Sequence, residues 1–125
     1  MVRDFIDAYI ETMLWAETDM DTDEPLEANF GVDDISPEAM EHITKDCTDF
    51  YESFNSLWDD DEGAGHDFWL TRNGHGAGFW DGDYEEEGEL EGVAIPDVGD
   101  FLTEKCKELR GVDVYIGDDG KIYFL

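Results

Sequence analysis

The chain has 125 residues and sets 35 Asp and Glu against only 7 Lys and Arg, a formal charge of −28. That length holds one domain, and with 41% hydrophobic and 14% aromatic residues it is no acidic disordered tail, which would be poor in aromatics. The same charge repels duplex DNA, RNA and anionic membrane, so none of these is expected as a direct ligand.

Residues 4 to 16 read as a first helix, because Phe5, Ile6, Tyr9, Ile10, Met13 and Leu14 recur three and four apart. An acidic loop follows, ending at Pro25, which keeps it from being helical. Ser36-Pro37-Glu38 then supplies an N-cap, a proline at the first helical position and an acid in the first turn. Met40, Ile43, Cys47, Phe50, Tyr51, Phe54, Leu57 and Trp58 hold the helical period, which predicts one amphipathic helix over residues 36 to 59. Asp59-Asp60-Asp61-Glu62 crowds the negative end of that helix, where acids are unfavourable.

From His66 the pattern changes to strand. His66 to Thr71 and Ala77 to Trp80 flank Arg72-Asn73-Gly74-His75-Gly76, predicting a hairpin over 66–81 with Asn-Gly at its turn. An acidic stretch runs from Asp81 to Glu91. A third helix is predicted over about 97 to 110, with Val98, Phe101, Leu102, Cys106 and Leu109 inward and Gly111 as its stop. Val112, Val114 and Ile116 alternate with Asp113 and Tyr115 before Asp118-Asp119-Gly120, which predicts a second hairpin over 112–125. The order is α-α-β-β-α-β-β. The expected fold is a single α+β domain over 1–125, with helices covering one antiparallel sheet of about four strands.

Cys47 and Cys106 are too few for a disulfide scaffold, and both fall on inward helical faces, so two buried free thiols are expected. No apolar run approaches the roughly 20 residues of a membrane helix. Met1-Val2-Arg3-Asp4 reaches acids at once, without a signal-peptide stretch, so an intracellular chain is expected.

The central block Gly65-His66-Asp67-Phe68-Trp69-Leu70-Thr71-Arg72-Asn73-Gly74-His75-Gly76-Ala77-Gly78-Phe79-Trp80-Asp81 resembles the core of a family of small, uncharacterised bacteriophage proteins. Asp33 to Glu38 and Tyr115 to Tyr123 share in the resemblance, which runs over most of the chain. It implies a phage gene expressed in the cytoplasm of a bacterial host, and it carries over no catalytic residue.

The chemical motifs are incomplete. Asp19-x-Asp21-x-Asp23 opens like a calcium loop but has Glu24 in place of the required glycine and Phe30 in place of the final acid. Neither Cys-x-x-Cys nor His-x-x-x-His occurs, so no metal is expected; His66 and His75 share the predicted hairpin, His66 ordering the strand entry and His75 occupying a loop. His75 with Asp67 or Asp81 resembles a base and its orienter, but no activated nucleophile accompanies them. Gly74 to Gly78 lacks the Lys and following helix of a phosphate cradle, so no cofactor is expected. Trp58, Phe68, Trp69, Phe79 and Trp80 read as core and cross-strand pairs. A non-enzyme is therefore expected, a metal-dependent enzyme around His66 and His75 being the weaker alternative.

The acids themselves remain. They fall in three clusters: Asp19, Asp21, Asp23, Glu24 and Glu27; Asp59, Asp60, Asp61 and Glu62; and Asp81, Asp83, Glu85, Glu86, Glu87, Glu89 and Glu91. Glu38, Glu41, Asp46, Asp49 and Glu52 add an outer face on the long helix. DNA carries one charge per about 1.7 Å of axis, so 28 charges match roughly 48 Å of duplex. Gathered on one side of a domain about 36 Å across, they approach the charge density of DNA. This pattern predicts a DNA mimic that inhibits a host DNA-binding protein with a basic groove, of anti-restriction or other anti-defence type. A homodimer would lengthen the charged track. The alternative is a non-mimic phage protein that binds through the aromatic hairpin 66–81.

Overall fold

The computed structural model describes residues 1–125 as an α+β arrangement of four helices and three small antiparallel hairpins. Helix α1 (Val2–Ala16) buries Phe5, Tyr9, Ile10, Met13 and Leu14, the stripe expected from their spacing. A short hairpin, β1 (Thr18–Asp19) with β2 (Glu24–Pro25), occupies the first acidic segment. Helix α2 (Pro37–Phe54) starts where its cap predicts, Ser36 Oγ accepting the Ala39 N–H at 3.1 Å.

Beyond α2 the structure departs from expectation. The helix ends at Phe54, a 3-10 turn covers Asn55–Leu57, and Trp58 is extended. Helix α3 (Asp61–Arg72) then replaces the first strand of the expected 66–81 hairpin. The acids of 59–62 do not terminate α2; they begin α3. Asp60 caps it by accepting the Gly63 N–H at 3.1 Å, while Asp61 and Glu62 sit in the first turn, where the dipole favours them.

The Asn73-Gly74 pair closes α3 and makes no hairpin turn. His75 N–H donates to the Leu70 carbonyl and Gly74 N–H to that of Thr71, a Schellman closure with Gly74 at φ +68°. Left-handed glycine serves both structures, which is why the dipeptide misleads. Phe79–Asp81 form a further 3-10 turn, with the Phe79 N–H held by Thr71 Oγ1 at 2.9 Å.

The second acidic stretch folds back on itself as β3 (Gly88–Leu90) and β4 (Val93–Ile95), joined by Glu91 and Gly92, both at positive φ. Helix α4 (Val98–Lys107), capped by Asp97, is shorter than the predicted 97–110. The last hairpin forms as expected from β5 (Val114–Ile116) and β6 (Ile122–Phe124), with Tyr115 opposite Tyr123. The three hairpins form separate two-stranded sheets, so the predicted four-stranded sheet is absent. With 66–81 largely helical, the C-terminal hairpin has no neighbour of its kind. It docks instead on the start of α2, through Ser36 N–H to the Ile122 carbonyl.

The core lies among the helices. Phe50 and Phe68 stack at 4.2 Å between centroids, and Phe5, Trp58 and Phe79 extend the cluster. Gly65 allows α1 and α3 to touch; a Cβ there would lie 2.2 Å from the Phe5 carbonyl oxygen. Cys47 and Cys106 are buried free thiols. No helix is long and apolar enough to cross a membrane.

Candidate functional site

The N-terminus of α3 is the meeting point of two acidic clefts. The first, about 540 Å³, lies between α1 and α3 and presents Asp4, Asp7, Glu11, Glu27, Asp60 and Glu62. The second, about 1120 Å³, lies between α3 and the segment that leads into β3, with Asp59, Asp60, Asp67, Asp83, Glu85, Glu86 and Glu87 on its walls. Asp60 and Gly63 belong to both, so the clefts run into one another across the first turn of α3. Chain segments far apart in sequence thus form one acidic face.

The cationic groups neutralise little of this face, reaching only Asp4, through the amino terminus, and Asp7, through Arg3. Lys45 pairs with Asp49, Lys107 with Glu104 and Lys105 with Glu108, all outside the clefts. Arg72 turns inward and holds Asp46 at 2.5 Å. Asp59, Asp60, Glu62, Asp83 and Glu85 to Glu87 have no ion-pair partner.

Burial changes the behaviour of two carboxyls here. Asp67 lies half-buried against the second cleft, and its pKa is raised by that burial and by the charges of Asp81 and Asp60. The 2.7 Å hydrogen bond from Tyr84 and the neighbouring His66 oppose the rise without cancelling it. Asp61 behaves in the opposite way. Burial works to raise its pKa, but hydrogen bonds from the amino terminus, Trp58 Nε1 and Tyr51 hold it below the usual carboxylate range.

Of the acids singled out in the sequence, Asp59, Asp60, Glu62, Asp83, Glu85, Glu86 and Glu87 come together in the clefts, and Glu27 joins them. Asp21, Asp23 and Glu24 are exposed on the β1–β2 hairpin, and Glu89 and Glu91 on the β3–β4 hairpin. Asp19 is buried and accepts the Asp21 N–H, so it is structural. Asp61 is engaged as described, and Asp81, though exposed, accepts the Gly78 N–H. On α2, Glu38, Glu41, Asp49 and Glu52 face solvent, but Asp46 turns to Arg72 and His42. The track expected along that helix therefore lacks its middle member, because a buried arginine needs a counter-ion.

Asp4, Asp7 and Glu11 escape the sequence reading, which attends to the apolar stripe of α1 rather than to the face behind it. Their spacing of three and four is the signal that would have found them.

The elements of the enzymatic alternative disperse. His75 Nε2 bonds Glu17 at 2.7 Å, Asp67 bonds Tyr84, and His66 Nδ1 bonds Thr12 Oγ1 at 2.9 Å. His75 therefore meets neither Asp67 nor Asp81 as an orienting acid. No three His, Cys, Asp or Glu side chains converge as metal ligands. The aromatic block is mostly core: Trp58, Phe68, Trp69 and Phe79 are buried, and only Trp80 stands 55% exposed. No protein-family model, curated protein or solved structure matches the chain.

Proposed function

We propose that this protein is an acidic decoy of DNA, made from a bacteriophage gene, that occupies the basic groove of a DNA-binding protein in the bacterial host and inhibits it. The observation that carries the proposal is the continuous face around the start of α3, where Arg3, 3.9 Å from Asp7, is the single Lys or Arg within ion-pair range of the carboxylates, in a chain of formal charge −28. Like charges gathered without counter-ions cost folding stability through self-repulsion, and a basic partner relieves that cost on binding. The resemblance of residues 65–81 to small phage proteins supplies the setting. Against a partner that binds through exposed aromatics of this block stands the burial of nearly all of them.

Association driven this way is fast and weakens steeply with salt. The test is capture of partners from a bacterial lysate on the immobilised protein, followed by elution with duplex DNA or salt. Release of the same protein by both supports the proposal. A partner that stays bound in high salt and in excess duplex overturns it.

A further inference from the structure

The cleft between α1 and α3 ends on an exposed aromatic ring. Asp4, Asp7, Glu11 and Trp15 follow one another along one stripe of α1, over about 16 Å at 1.5 Å per residue. Trp15 is 55% exposed, with its ring 5.9 Å from that of His66 on α3. Thr12 Oγ1 donates its hydrogen to the Ala8 carbonyl at 2.7 Å, so it accepts from His66 Nδ1. The other ring nitrogen, Nε2, has no hydrogen-bond partner in the molecule. Carboxylates, an imidazole and an indole face share this cleft.

These groups suit one side chain in particular. Arginine brings five donors in a flat fork that pairs with carboxylates and stacks on indole, whereas lysine brings a compact point charge. We infer that the α1–α3 cleft takes an arginine-rich segment of the partner protein, with one guanidinium lying on Trp15 and bonded to Glu11. This assignment rests on the proposal that the acidic face binds a basic protein, and it adds a preference that charge alone does not give.

The experiment uses the full chain and two probes, octa-arginine and octa-lysine peptides, with affinities from calorimetry and contact from the Trp15 indole N–H signal. Octa-arginine should bind more tightly and move that signal. Trp15→Leu, which keeps an apolar side chain at an exposed site, should weaken octa-arginine by about two- to fivefold, the range for an exposed cation–π contact, and bring the two peptides closer together. The triple variant Glu85→Gln, Glu86→Gln, Glu87→Gln in the other cleft should weaken both peptides alike and preserve their ratio. Equal affinities for the two peptides, or an unchanged ratio in a folded Trp15→Leu protein, would overturn the assignment. The two proposals fail separately. A partner displaced by duplex DNA alongside an unchanged peptide ratio removes only the arginine cleft. A collapsed ratio with a partner that ignores DNA removes only the decoy.

Discussion

Arg72→Leu should be among the most destabilising single substitutions in this chain. The Arg72 side chain is only 5% exposed and holds Asp46 Oδ2 at 2.5 Å, the Arg110 carbonyl at 2.9 Å and the Tyr9 hydroxyl at 3.3 Å. Removing it leaves Asp46 beside the His42 ring at 3.4 Å, without its guanidinium partner, and strips a donor from two other groups. Breaking a buried ion pair costs about 3–5 kcal/mol. Asp46 keeps 21% of its side-chain exposure, so the lower end, about 3 kcal/mol, is expected. Urea is the denaturant to use, since guanidinium would screen the charge under study. With a slope near 1.5 kcal/mol/M, the midpoint should fall by about 2 M. Adding Asp46→Asn should restore part of that loss, because the stranded charge is then gone. A midpoint shift below about 0.5 M would refute the reasoning. It is the result expected if Arg72 sat in the exposed turn of a hairpin, where substitutions usually stay within about 0.5 kcal/mol.

Gly65→Ala should destabilise by about 1–3 kcal/mol in the same urea assay, because its Cβ meets the Phe5 backbone and forces α1 and α3 apart. Asp67→Asn should raise the melting temperature at neutral pH. The folded-state pKa of Asp67 lies above its unfolded value, so the folded protein binds that proton more tightly and loses stability as pH rises through the folded pKa. The advantage of the variant should accordingly fade below the ordinary carboxylate pKa; a gain that persists there would contradict the burial argument. Cys47 and Cys106 should resist a thiol reagent in the native state and both react in denaturant, since burial raises both thiols, Cys106 to about 12.

The parts of the fold legible in the sequence are those where periodicity and punctuation agree. The stripe from Phe5 to Leu14, the Ser36-Pro37 cap and the alternation around Asp118-Asp119-Gly120 each admit one interpretation, and α1, α2 and the C-terminal hairpin follow. Helix α3 was hidden because Gly63 and Gly65 lower its helix propensity and Phe68-Trp69-Leu70 suits a strand equally well. Asn73-Gly74 then points to a hairpin as readily as to a helix end. Misplacing that boundary also reverses the meaning of Asp59 to Glu62: unfavourable at the end of one helix, they are favourable at the start of the next. The same error conceals the site. The clusters at Asp59 and Glu85 are plain as charges, but their convergence on one cleft depends on α3, and the contribution of Asp4, Asp7 and Glu11 depends on its packing against α1.

The central claim is that the acidic face and duplex DNA compete for one surface. The direct measurement places a fluorescent duplex on the captured host protein and follows its anisotropy as this protein is added. Full displacement is predicted, with the midpoint moving to much higher concentration when Asp59, Asp60, Glu85, Glu86 and Glu87 are changed together to Asn or Gln. A duplex that remains bound while this protein joins it in a ternary complex would contradict the claim.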